Sequence, residues 1–203
     1  MVSDFDLDDL SQTDLRIKIE RLSASFPGVR IEENQRPYLF EIKKGVFENW
    51  DQEIKGKGFE LKTKAVGNLK NRFDLSNKFK FNSSIVELIT DFVEKSDGEI
   101  SGVHNVFGNA ENLDHFMNIE GDGISLKAKN LPGLFSDIKV GVHFEDDVVL
   151  IDKLTGRYGN GNIKGSGKLR FTFPFPKLNL SMNVEKTRFP ILKKSGVVVS
   201  GDM

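Results

Sequence analysis

The feature that most constrains this chain is a period-two alternation of apolar and polar side chains, repeated along most of its length. A strand turns successive side chains to opposite faces, so this rhythm predicts half-buried strands rather than helices. Leu15, Ile17 and Ile19 alternate with Arg16, Lys18 and Glu20; Phe59 and Leu61 with Glu60 and Lys62; Phe73 and Leu75 with Asp74 and Ser76. The rhythm continues through Phe79 and Phe81, then Ile124, Leu126 and Ala128, then Ile138, Val140, Val142 and Phe144. It is clearest near the end, where Leu169, Phe171, Phe173 and Phe175 form one run and Leu178, Leu180, Met182 and Val184 the next.

Turn chemistry separates the runs: Asp97-Gly98, Gly121-Asp122-Gly123, Asp146-Asp147 and Gly159-Asn160-Gly161-Asn162. Spacings of roughly 8 to 14 residues suit an antiparallel meander. One helix is expected from Ser84 to about Lys95. There Ser84 and Glu87 have capping-box spacing, and Ile85, Leu88, Ile89 and Phe92 fall on one face. The expected organisation is a single segment over residues 1–203, with strands over 1–82, the helix over 84–95 and further strands over 97–203. The fold class is therefore all-β, a long and mainly antiparallel sheet with one short helix.

Charge excludes one class of partner. With 29 basic against 30 acidic residues and a formal net charge of −1, the chain has no cationic excess for a phosphate backbone, so nucleic acid is not expected. The absence of cysteine removes disulfides and thiolate metal sites. Among aromatic residues there are 17 Phe but 2 Tyr and 1 Trp, a greasy rather than hydrogen-bonding set. No run reaches the length of an apolar membrane span, and Met1-Val-Ser-Asp-Phe-Asp lacks the basic and apolar regions of a signal peptide. An apolar run is just opening at Val197-Val-Val, so the chain reads as a piece of something longer.

Stretches that could carry chemistry have simpler explanations. Glu145-Asp146-Asp147 lies between two apolar runs, as a hairpin turn does. His104, His115 and His143 share no metal-ligand spacing. The glycine-rich stretch from Gly156 to Gly167 lacks both the dinucleotide-binding and the Walker pattern, and a strand follows it where a phosphate site would need a helix. Its glycines are expected in turns and bulges. No Gly-x-Ser-x-Gly elbow occurs. The sequence therefore predicts no enzyme, no cofactor and no metal.

From Asp97 to Arg170 the chain reads Asp-Gly-Glu-Ile-Ser-Gly, then Val106-Phe-Gly, Gly123-Ile-Ser-Leu and Asn130-Leu-Pro-Gly-Leu-Phe-Ser-Asp-Ile-Lys-Val. Leu154-Thr-Gly-Arg-Tyr-Gly-Asn-Gly-Asn-Ile-Lys-Gly-Ser-Gly-Lys-Leu-Arg completes the series. This order resembles the repeating unit of the TamB (translocation and assembly module) family, within the wider AsmA-like group of bridge-like lipid-transfer proteins. The resemblance covers the central and C-terminal two-thirds. It implies a U-shaped sheet, or β-taco, whose apolar interior runs through the periplasm between the two membranes of a diderm, Gram-negative bacterium. It also implies phospholipid movement toward the outer membrane, or help in assembling outer-membrane proteins with a barrel partner. The family's inner-membrane anchor and partner-binding end have no counterpart in this chain, so tethering and docking would belong to regions outside it.

The physics of the alternation fits that expectation. A phospholipid leaving a bilayer exposes about 30 methylenes at ~0.8 kcal/mol each, a cost on the order of 20 kcal/mol. A trough lined by the apolar runs, from Leu15 to Val184 and including Phe171 and Phe173, would remove most of it while the head group stays wet. Strands of about 6 to 8 residues span ~20 to 27 Å, and ten strands at ~4.8 Å make a floor roughly 50 Å long. The same alternation also describes a closed sandwich or barrel; the resemblance favours the open groove. Two other functions stand beside the conduit: a scaffold lending a strand edge to outer-membrane proteins, and a glycan-active protein, which the scarcity of Trp and Tyr disfavours. An exposed apolar face of this extent would also drive self-association.

Overall fold

The computed structural model describes residues 12–129, 131–145, 148–170 and 177–185. Strands hold 74% of the described residues, so the fold is all-β as the alternation predicts. In chain order they are β1 (Leu15–Ile19), β2 (Ala24–Phe26), β3 (Val29–Ile31), β4 (Tyr38–Lys43), β5 (Val46–Glu48), β6 (Asp51–Gly56) and β7 (Phe59–Asn68). There follow β8 (Arg72–Asn82), β9 (Val93–Gly108), β10 (Leu113–Ala128), β11 (Leu134–Glu145), β12 (Val148–Tyr158), β13 (Gly161–Arg170) and β14 (Lys177–Glu185).

Twelve of these form one open sheet in the order β1-β4-β5-β7-β8-β9-β10-β11-β12-β13-β14, with β6 pairing β7. From β7 onward every neighbour in the sheet is the next strand in sequence, which is the expected meander. The remaining two strands, β2 and β3, pair with each other as a hairpin, and Arg30 of β3 makes a single antiparallel bridge to Lys57. The chain divides into two compact units: unit 1 comprises Met1–Lys80 with Gly102–Met117, and unit 2 comprises Phe81–Ser101 with Asn118–Met203.

In unit 1, Leu15, Ile17 and Ile19 stand opposite Ile42, Phe40 and Tyr38, and Ile42 stands opposite Phe47. Directly opposed residues of an antiparallel pair share a face, so these form one apolar surface. Aromatic rings continue it: Phe40 and Phe47 each lie 5.2 Å from Trp50, and Phe47 lies 5.1 Å from Phe73. A second cluster centres on buried Val29, Ile31 and Ile54, against which Phe59 and Leu61 pack.

Unit 2 corrects the expected helix over 84–95. The chain forms a 3-10 turn at Ser83–Ile85 and one α-helical turn, α1 (Val86–Ile89), and from Val93 it is already in β9. The capping box does not form either. Asn82 accepts the hydrogen bond from the Ser84 amide, and the Glu87 carboxylate instead accepts from the Ser96 amide at 2.7 Å. The Lys129 amide, just past the end of β10, donates to the Phe92 carbonyl just before β9. Leu88 and Phe92, expected to face a core, are 56% and 52% exposed. Below the turn, the Ser83 and Ser96 hydroxyls bond to each other at 2.8 Å in a buried site.

Candidate apolar binding face

The register of β11 to β14 assembles one face of unit 2. Val140 stands opposite Leu154, Val142 opposite Ile151 and Phe144 opposite Val149. Leu154, Ile151 and Val149 in turn face Gly165, Gly167 and Leu169, and Gly156 faces Ile163. Across β13 and β14, Ile163, Gly165, Gly167 and Leu169 meet Val184, Met182, Leu180 and Leu178. The register thus brings together every sequence-predicted position from Val140 to Val184 within these strands, except Phe171 and Phe173, which lie outside the described residues, as do Phe175, Asp146 and Asp147. The surface is partly open to water: Leu180 and Met182 are 43% and 42% exposed, Val140, Val142, Phe144, Ile151, Leu154, Leu169 and Val184 are half-buried, and Val149 and Ile163 are buried.

Two β-bulges decide which residues join this face. Ile151 and Leu154 are three apart, yet both lie on it because the pairing skips a position at Asp152 and Lys153. Phe135 and Ile138 are likewise three apart, and the irregularity between Ser136 and Lys139 includes Asp137 at φ 51°. A bulge inserts one unpaired residue and so reverses the parity of the alternation beyond it. Phe135 and Leu154 are therefore out of phase with the alternation beyond the bulges, and Val149, Ile151 and Ile163 also join the face without belonging to the lining expected from the sequence. The one local signal was Asp137, a residue type that tolerates left-handed backbone.

Gly165 and Gly167 lie within β13, on the apolar face, and not in the turn expected from the glycine-rich stretch. Both are close-approach positions: a Cβ on Gly165 would come within 2.9 Å of the Ser181 carbonyl, and one on Gly167 would meet the Leu180 side chain at 2.9 Å. Gly156 also contributes no side chain. Around it, Phe92, Leu126, Phe135, Ile138, Leu154, Ile163 and Met182, with Thr155 and Arg157, line an apolar depression of about 200 Å³. At its end Tyr158, 4% exposed, stacks on Phe135 at 4.7 Å and accepts a hydrogen bond from the Gly133 amide at 3.1 Å.

Earlier in unit 2, Ile124 and Ala128 are buried, Leu126 is half-buried and Phe81 is half-buried at the end of β8. In unit 1, Phe73 is buried, Leu15, Ile19, Phe59, Leu61, Leu75 and Phe79 are half-buried, and Ile17 is 43% exposed. Phe59 and Leu61 are not open floor, because the β2–β3 hairpin packs on them.

The opposite face of β11 to β14 is mainly polar, with Leu150 between His143 and Lys168 and Val148 opposite Arg170 as its apolar members. Lys139, Lys153, Lys164, Ser166 and Lys168 point away from the apolar side and are exposed. His143 Nδ1 pairs with Asp152 Oδ2 there, and Lys139 pairs with Asp122 at 2.9 Å. The Lys139 hydrogen bond and charge hold the Asp122 carboxyl below its ordinary range, and Asp122 in return raises Lys139. Among the described residues no three His, Asp or Glu side chains gather as metal ligands would. No described helix is long and apolar enough to cross a membrane. Every buried side-chain nitrogen and oxygen among the described residues has a hydrogen-bond partner. The arrangement is thus an apolar side of β11 to β14 backed by a mainly polar one. Comparison with protein-family models, curated proteins and solved structures finds no match for this chain.

Proposed function

We propose that this chain is a segment of a lipid conduit, carrying phospholipid acyl chains along its apolar sheet face through the periplasm between inner and outer membranes. The observation that carries the reading is the face of β11 to β14, apolar in register across four strands and mostly half-buried, with Leu180 and Met182 exposed. A folded domain rarely leaves so continuous an apolar stripe without a ligand or partner for it. Sliding needs a surface on which polarity matters and residue identity does not; Val, Ile, Leu, Phe and Met occupy equivalent positions here. The motif order from Asp97 to Arg170, which resembles the TamB family, supports the same reading. The longer protein would be anchored in the inner membrane, with any barrel partner engaged by regions outside this chain.

Native mass spectrometry of the purified chain tests it. The wild type is expected to carry phospholipid, Val142→Asp to lose it while remaining folded, and Ser166→Asp, on the polar face, to keep it. A lipid-free wild type together with unfolding of Val142→Asp would make this face an ordinary closed core.

A further inference from the structure

The hairpin of β2 and β3 is amphipathic. Its register pairs Ala24 with Ile31 and Phe26 with Val29 on one face, and Ser25 with Arg30 on the other. Val29 and Ile31 are 2% and 8% exposed because the apolar face lies on Ile54, Phe59 and Leu61 of unit 1. Ile54 stands opposite Leu61, and Gly56 opposite Phe59, so these residues share one face of the sheet.

Two devices hold the hairpin down. The first is a backbone approach: the Arg30 carbonyl lies where a Cβ on Gly56 would be 2.2 Å away, and the Arg30 amide bonds the Lys57 carbonyl at 2.8 Å. The second is a polar clamp across the base. Asn34 Oδ1 accepts from the Leu22 amide at 2.6 Å, while its Nδ2 donates to the carbonyls of Glu20 at 3.1 Å and Arg36 at 2.6 Å. One side chain thus ties together the segment entering the hairpin and the segment leaving it.

We propose that this hairpin is an end cap, occupying the apolar face of unit 1 where a hydrocarbon chain would otherwise lie and setting the limit of the lipid-accessible surface there. The proposal rests on the conduit reading for its purpose, although the covering itself does not. Being part of the same chain, the hairpin competes with free lipid at high effective concentration. Its polar outer face, Ser25 and Arg30, replaces a greasy surface with a wet one. Phe59 and Leu61, which look like conduit floor by alternation, are then reserved for the cap.

Photolabelling separates the cap from the conduit. The full chain is mixed with phosphatidylcholine vesicles containing a phospholipid with a diazirine in one acyl chain, irradiated, and the labelled residues mapped. Two variants release the hairpin by different routes: Val29→Asp places a carboxylate in a buried site, whereas Asn34→Ala removes the clamp and leaves every apolar contact in place. The second keeps the test decisive if the first does not fold. Wild type is expected to be unlabelled at Phe59 and Leu61, with labelling there rising roughly tenfold or more in the variants, the scale set by losing three hydrogen bonds at once. Labelling of Phe59 or Leu61 in wild type, or none in a folded variant, overturns the cap. Labelling at Val142 and Leu180 in wild type reports on the conduit alone; its absence overturns that reading, while the cap still stands or falls on Phe59 and Leu61.

Discussion

Replacing Leu180 by Asp distinguishes an open face from a closed core by stability alone. Leu180 is 43% exposed. Full burial of a leucine is worth roughly 1.5–3 kcal/mol, so the side chain contributes about 1 to 1.5 kcal/mol from the part that is covered. Asp is also a poorer strand former by up to about 1 kcal/mol. Since the new carboxylate can reach water from this position, no large desolvation cost is added, and the total comes to about 2 kcal/mol. In a closed core the same change would bury an unpaired charge at several kcal/mol more. Tyr158→Ala provides the calibration: at 4% exposure, with Phe135 against its ring and Gly133 on its hydroxyl, Tyr158 is expected to cost about 3–5 kcal/mol. Urea denaturation of wild type and both variants, with unchanged slopes, measures the difference. Leu180→Asp should fall well short of Tyr158→Ala; equal losses would refute the open face.

Two further predictions concern the turn that joins β8 to β9. Asp97 accepts from the Asn82 side-chain amide at 2.9 Å and also from the Gly98 amide, and these bonds hold its carboxyl below the ordinary 3.8. Its stabilisation is therefore fully present above that unfolded value and is lost as pH falls through the lowered folded one. Asn82→Ala should move the Asp97 titration upward and flatten the acid-side loss, read by carboxyl-carbon NMR; an unmoved titration would show that the Asn82 bond is not the cause. Ser83→Ala should cost about 1–3 kcal/mol in thermal or urea unfolding, because it strands the buried Ser96 hydroxyl, and a neutral result would mean that the pair has another partner.

Much of the fold was legible because β alternation is a local signal. The pattern marked strands at Leu15–Ile19, Phe59–Leu61 and Ile138–Phe144, and the turn at Gly159-Asn160 separates β12 from β13. The expected helix fails because Ser84 to Phe92 satisfies helical spacing locally, whereas from Val93 the backbone is already committed to β9, paired between β8 and β10 in the sheet. Propensity is a weak prior when a neighbouring strand supplies the hydrogen bonding that the helix would have provided. The candidate face was legible wherever alternation ran unbroken, as in Leu178 to Val184, and illegible at Asp137 and Asp152. There a bulge changes parity, and the alternation on either side no longer shares one phase.

The division between sequence and tertiary structure follows from the range of each interaction. Which residues can share a face of a strand is set by the two-residue repeat of the backbone itself, and so the chain's alternation determined an all-β sheet with an apolar side and a polar side. What lies upon that apolar side depends on residues far apart in sequence. Phe59 and Leu61 carry the same local pattern as Leu178 and Leu180, yet one pair packs beneath Val29 and Ile31 while Leu180 remains 43% exposed. Only the folded chain could decide this, because the hairpin reaches its seat through the Arg30 carbonyl above Gly56 and the Asn34 clamp, long-range pairings that leave no period in the sequence.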